Sequence, residues 1–119
     1  MGVYTFTVPS LRDAILRAKE RGVDVEIILE KTPFGNTTIN RETTAFLTKN
    51  HIPFHESGAR QFSFMHAKYM IIDDAWIVET ANWTRASFAS NREFFLTGND
   101  PSILGSLEDI FQKDARGDK

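Results

Sequence analysis

The chain has 119 residues, enough for one domain with a real core and too few for two. It has no cysteine, which excludes a disulfide framework and a thiolate metal site and fits a reducing, cytoplasmic setting. Fourteen basic side chains stand against sixteen acidic ones, a formal charge of −2, so any polyanion must be met by a local patch rather than a global positive field.

Residues 3–8 are rich in β-branched and aromatic types and predict a first strand. Ser10 is placed to cap a helix, with Asp13 three residues on, and Leu11, Ala14, Ile15 and Ala18 recur at helical spacing up to Gly22. Residues 23–29 form a nearly continuous apolar run, the pattern of a strand covered on both faces. Strand, helix and strand in this order predict a parallel pair with a right-handed crossover. Residues 32–38, with Pro33, Gly35 and Asn36, read as a loop at the carboxyl end of that strand, where open α/β sheets place ligands. A second helix is predicted over 40–49, capped by Thr38 or Asn40, followed by a short extended piece at 52–55 and a turn-rich loop at 57–61.

A third main strand is expected over 62–72 and a tight turn at Asp73-Asp74, with 75–78 returning as its hairpin partner. Residues 80–90 predict a loop with a short helical turn, and 93–97 a further strand. Asp100 caps a last helix with Pro101 at its first position and Ile103, Leu104, Leu107, Ile110 and Phe111 on its apolar face. Trp76 and Trp83 read as packing residues, as do Phe62, Phe64, Phe94 and Phe95 on their strands, with Phe62 or Phe64 close enough to a pocket to touch a ligand. No run of apolar residues is long enough to span a bilayer, no signal-peptide pattern opens the chain, and integral membrane association is not expected.

The 62–72 strand carries the chemistry. His66 and Lys68 stand at i and i+2, so an extended chain turns both to one face. A lysine offers a fixed charge and three donors, and a histidine can act as nucleophile or acid/base near neutrality, a pairing suited to phosphate. His51 and His55 are also four apart, but Pro53 between them forbids the regular helix that would turn both to one metal.

His66-x-Lys68, four residues, Asp73, and then Thr80-x-Asn82 resemble the HKD signature of the phospholipase D superfamily. The likeness runs on through Asn82-Trp83-Thr84-Arg85-Ala86-Ser87 to Asn91-Arg92-Glu93-Phe94, and back to the first strand at Val3-Tyr4-Thr5-Phe6-Thr7. The resemblance implies an α/β fold: a mixed, largely parallel sheet flanked by helices on both faces, with residues 1–119 as a single HKD domain or a fragment of a longer two-motif chain. It implies a metal-independent phosphodiesterase, needing no cofactor, acting on a phospholipid or a nucleic acid. His66 would be the nucleophile that forms a phosphohistidine, and Lys68 and Asn82 would hold the phosphate oxygens beside the hydroxyl of Thr80. Glu93 stands where related enzymes keep the acid that orients the histidine. Asp73 belongs to the signature, and its place at a turn suggests a structural part.

Two features depart from the family pattern. Glu79 stands where a glycine usually opens the Thr80-Ala81-Asn82 segment, so either its carboxylate faces away or the site is narrowed. Only one motif is present, whereas the superfamily uses two, one histidine attacking and the other serving as acid/base. The resemblance thus implies a homodimer with the site across its interface, or a second half elsewhere in a longer chain. The alternative is a catalytically weak or inactive HKD-like domain that binds phosphate or serves assembly.

Overall fold

An apolar run such as Ile27-Ile28-Leu29 must be covered on both faces, because successive side chains of a strand point opposite ways. The computed structural model of the protein, which describes residues 1–57 and 63–117, shows this arrangement. Ile27 and Leu29 pack with Val3, Phe6, Ile15, Leu47 and Trp83 on one face, while Ile28 packs with Met65, Tyr69 and Phe111 on the other. All three are fully buried. Each such side chain contributes about 1.5–3 kcal/mol of transfer free energy.

Along the chain run β1 (Gly2–Val3), α1 (Pro9–Glu20), β2 (Ile27–Glu30), a 3-10 turn (Pro33–Gly35), α2 (Arg41–Lys49) and β3 (Phe54–Ser57). They are followed by β4 (Tyr69–Ile72), β5 (Ala75–Glu79), α3 (Arg85–Ala89), β6 (Phe95–Gly98) and α4 (Pro101–Arg116). The six strands form one sheet in the order β3-β2-β1-β4-β5-β6. α1 and α2 supply Ile15 and Leu47 to one face, and α4 supplies Leu107 and Phe111 to the other. The expected mixed α/β sheet with helices on both faces is therefore present. Its parallel part is smaller than expected: β1–β2 and β2–β3 are parallel, whereas β1–β4, β4–β5 and β5–β6 are antiparallel. β4–β5 is a hairpin, antiparallel by construction, whereas β1–β4 and β5–β6 are antiparallel across longer connections. No helix among the described residues is long and apolar enough to cross a membrane.

Local boundaries differ from the sequence reading for identifiable reasons. The first strand is only two residues long, because residues beyond Val3 find no regular partner; Phe6 instead bridges Trp83 in parallel, and Trp83 donates its backbone N–H to Thr5 O at 2.7 Å. Val8, not Ser10, is the N-cap of α1, since Pro9 already fits the first helical position. Strand β2 begins at Ile27 rather than residue 23, and β6 spans 95–98 rather than 93–97. The strand expected over 62–72 is regular only from Tyr69, so His66 and Lys68 lie in the extended approach to β4, and residues 58–62, with Phe62 and most of the expected 57–61 loop, are outside the described residues. Asp100 caps α4 as expected, its carboxylate accepting from the N–H groups of Ser102 and Ile103 with Pro101 at the first turn. Phe94 and Phe95 are not core residues: they are 71% and 53% exposed on the edge beside β6, where no further strand covers them.

Asn40, one of the two expected caps with Thr38, does stand at the N-cap of α2, but its side chain makes no capping bond. It is buried, accepts from Phe6 N–H at 2.8 Å, and donates to the carbonyls of Tyr4 and Glu30 at 3.0 and 2.9 Å. These three bonds take the place of the ladder that the chain after β1 lacks. Asn40→Ala is expected to cost about 3–5 kcal/mol, because it strands buried main-chain groups that no water can reach. A thermal melt would then fall by roughly 10–20 °C. A change of only a degree or two would mean that the chain beyond Val3 is held by packing alone.

Candidate active site

The approach to β4 is pinned from below by a residue that the sequence reading passed over. Glu30 ends the apolar run of β2 yet is buried. Its carboxylate accepts from Thr32 N–H at 2.9 Å, from Ser57 Oγ at 2.7 Å and from Met65 N–H at 2.8 Å. One side chain thus ties the ends of β2 and β3 to the residue before His66. Three partners held by one buried carboxyl group fix where His66 begins. The signal available in the sequence was an acidic residue closing a strand otherwise fully apolar.

Tyr4 is the second missed residue. Its ring is buried under the site, with the His66 ring at 4.5 Å in an edge contact and the Lys68 ammonium over its face at 5.3 Å. Its hydroxyl accepts from Phe34 N–H at 2.6 Å, which anchors the 3-10 turn to the site floor. Phe64 packs edge-on against the same ring at 5.9 Å. The loop at 32–38 and the residues around His66 therefore share one aromatic floor.

His66 and Lys68 are brought together. Lys68 is 7% exposed, and its Nζ lies 3.1 Å from His66 Nδ1, 3.3 Å from His66 Nε2 and 2.7 Å from the His66 carbonyl, to which it donates. His66 itself is exposed. Burial lowers the imidazole pKa, and the Lys68 charge lowers it further, so the ring is held neutral, the form with a lone pair to offer. Burial likewise lowers the Lys68 pKa, with Glu93 and then Glu79 pulling it back up.

Glu79 N–H donates to Lys68 O at 3.0 Å, continuing the β4–β5 ladder by one residue. Directly opposite residues of an antiparallel pair project to the same face, so Glu79 rises beside Lys68. Of the two expectations for this residue, facing away is the one that fails. Glu79 is buried and its Oε1 accepts from the Trp83 indole N–H at 2.7 Å. Burial raises its carboxyl pKa; the Trp83 bond and Lys68 act against that, and Glu93 adds to it.

Glu93 is close to this group but is not hydrogen-bonded to His66 among the described residues. It accepts from Thr80 Oγ1 at 2.6 Å and from Asn91 Nδ2 at 3.2 Å. The Thr80 bond, chiefly, holds its carboxyl below the usual range. Thr80 also accepts from Phe94 N–H at 3.0 Å, so its hydroxyl is engaged in fixing Glu93. Asn82 is half-buried, and its side-chain Oδ1 is buried with no hydrogen-bond partner among the described residues. That oxygen can only accept, so it suits a ligand's hydroxyl or a water, and the donor Asn82 could offer a phosphate oxygen is its Nδ2. Asp73 stands apart. It occupies the β4–β5 turn with φ 53°, five residues beyond Lys68, roughly 16 Å along an extended strand. It shapes the hairpin and is not brought to the imidazole.

A cavity of about 420 Å³ opens on the α4 side of these strands, lined by residues 66–69 and 78–80 with Leu107 and Ile110; Tyr69 and Val78, paired across β4–β5, turn to this side, and Lys68 and Glu79 turn to the other. The cation and the imidazole meet on the Tyr4 ring, an arrangement able to take an anionic group.

Comparison with known proteins agrees with this geometry. Residues 1–115 match the family described as "Cardiolipin synthase, PLD-like domain". The mitochondrial cardiolipin hydrolase of Xenopus tropicalis is 28% identical over 114 residues, covering 93% of this chain and 51% of that protein. The chain spans about half the length of the curated relatives it matches. Among solved structures, the phospholipase D family member Nuc from Salmonella typhimurium superposes with a TM-score of 0.88 at 25% identity, covering all of this chain and 78% of that one. NucT from Helicobacter pylori shares the fold, with a TM-score of 0.78 at 24% identity over 98% of this chain and 77% of its own. With 115 of its 119 residues inside the matched span, the chain belongs to the phospholipase D-like family.

Proposed function

We propose that the chain is a phosphodiesterase that works without metal through a phosphohistidine on His66. The observation that carries this reading is the Lys68 ammonium, buried and 3.1 Å from a neutral imidazole on a rigid floor. A ring nitrogen of His66 attacks phosphorus, a P–N bond forms, and the P–O bond to the leaving alcohol breaks. Lys68 and Asn82 hold the non-bridging oxygens as charge builds on them. An acid must protonate the leaving oxygen and then, as a base, take a proton from the water that cleaves the P–N bond. That water's oxygen ends on phosphorus as a phosphomonoester, and His66 is regenerated.

The acid/base group is the His66 of a second copy. Strand β6 is a sheet edge that exposes Phe95 and Leu96 at 53% and 65%, with Phe94 just before it at 71%, and it pairs with β5 up to Glu79, directly beside the site. A contiguous apolar edge at this place suits burial against an identical one. The substrate is a phosphodiester, either a phospholipid or a nucleic acid. A second reading, a weakly active phosphate-binding domain, is favoured by one observation: the Glu79 carboxylate is buried beside Lys68.

The test is hydrolysis of bis(p-nitrophenyl) phosphate in excess EDTA, with sedimentation on the same samples. EDTA-resistant turnover by a dimer, with an acid-labile phosphoryl adduct trapped on His66, is expected. A folded monomer without turnover would leave the binding-domain reading standing and overturn the enzyme.

A further inference from the structure

Each copy brings one ammonium, Lys68, and two held carboxylates, Glu79 and Glu93, to the site. Glu79 cannot swing clear of it. Its Oε1 is held by the Trp83 indole, and Trp83 is locked in turn by its backbone bond to Thr5 and its edge contact on the Phe6 ring at 4.7 Å. Glu93 is tethered by Thr80. Neither carboxylate forms a contact ion pair with Lys68 among the described residues; the ion pairs there, Arg12–Glu42 and His55–Glu26, lie elsewhere. The charged groups that act on Glu79 are Lys68 from the approach to β4 and Glu93 from the approach to β6. Trp83 faces it as a neutral donor from the segment after β5, and Phe95 is its neighbour across β6.

We propose that Glu79 makes the phosphate site selective for charge, admitting a singly charged phosphodiester and disfavouring a doubly charged phosphomonoester or inorganic phosphate. The proposal rests on the phosphodiesterase reading and deepens it. Coulomb repulsion grows linearly with ligand charge, while the ammonium that each copy brings meets two carboxylates of the same copy and so has little surplus to offset a second negative charge. The consequence is directional. Hydrolysis of a diester yields a monoester, which takes on its second charge above a pKa of about 6. The product would then be repelled from the site that held the substrate. Burial raises the Glu79 carboxyl, so the discrimination strengthens as pH rises and that group ionises.

The test is titration calorimetry with dimethyl phosphate and methyl phosphate at pH 8 on wild type and Glu79→Gln. Glutamine keeps the size and keeps an oxygen to accept from Trp83. Removing one charge is expected to tighten dimethyl phosphate about tenfold and methyl phosphate by about the square of that, roughly a hundredfold. In the wild type, methyl phosphate is expected to gain more affinity than dimethyl phosphate as pH falls from 8 to 5. Glu79→Gly, the residue usual in the family, is expected to reproduce the ratio and covers the case in which glutamine fails to fold. Equal tightening of both ligands, or none, overturns the role of Glu79 and leaves the phosphodiesterase reading intact if diester turnover persists. If neither ligand binds any of the folded variants, the phosphate site itself is refuted, and this inference with it.

Discussion

His66→Ala is expected to abolish EDTA-resistant phosphodiester turnover, by at least about 10⁴-fold in kcat, while leaving the fold in place. Losing a nucleophile removes the covalent route altogether, and the remaining donors stabilise charge on an attack that no longer occurs. The stability cost should be small, within about 1 kcal/mol, because the ring is exposed and its main packing is one edge contact on Tyr4. Lys68 still donates to the His66 carbonyl at 2.7 Å, which no side-chain change removes. The variant therefore separates chemistry from folding. Phosphate binding should survive in it, since Lys68 and Asn82 remain. Turnover that persists in His66→Ala, with a normal melt, would refute the phosphohistidine mechanism.

The order of elements was legible because local signals and burial agree. Pro101 after Asp100 and the Asp73-Asp74 turn act within a few residues and stand where expected, and the apolar run at Ile27-Ile28-Leu29 is a strand, though one that starts later than residue 23. What the sequence hid depends on partners distant in the chain. The run from 3 to 8 has the composition of a strand, yet it lacks a ladder partner after Val3 and borrows Asn40 and Trp83 instead. Likewise, Phe94 and Phe95 have strand composition, but whether such a strand lies inside a sheet or on its edge is a topological fact that composition does not carry.

The site was legible to the extent that its residues are close in sequence. His66 and Lys68 meet through i, i+2 spacing, and Thr80 lies near Glu93 through a short return of the chain. Asp73 stands in the same motif and lies remote from the chemistry, because a hairpin tip is as far from the strand's start as the strand is long. Tyr4 and Glu30 shape the site from below, 62 and 36 positions before His66. No spacing rule reaches that far. The orientation of Glu79 was undecidable for a related reason: the β4–β5 register, set by a two-residue turn, decides which face it takes.

Lys68→Met is expected to lower turnover by about 10²–10³-fold and to move the titration of His66. Methionine fills the buried stem and removes the charge. The ammonium lies against both ring nitrogens, and its charge is the second cause, after burial, that lowers the imidazole pKa. Without it, the His66 pKa should rise toward its ordinary value of about 6.5. The acid limb of any residual activity should then shift to higher pH, because only the neutral ring can attack. The stability effect has the opposite sense from a simple loss of contacts. The folded-state pKa of Lys68 is lowered, so the unfolded chain holds its proton more firmly, and the folded state is penalised at every pH below the folded value. That penalty is relieved only as pH rises through the window up to about 10.5, and Lys68→Met removes it at neutral pH. The variant should thus melt no lower than wild type at pH 7 while being nearly inactive, with the difference between the two narrowing toward pH 10. Histidine NMR across pH 4–8 and paired melts at pH 7 and pH 10 measure both effects. A His66 pKa unchanged by the substitution would mean that Lys68 does not set the state of the nucleophile. A variant that melts far below wild type at pH 7 would mean that the ammonium is chiefly structural.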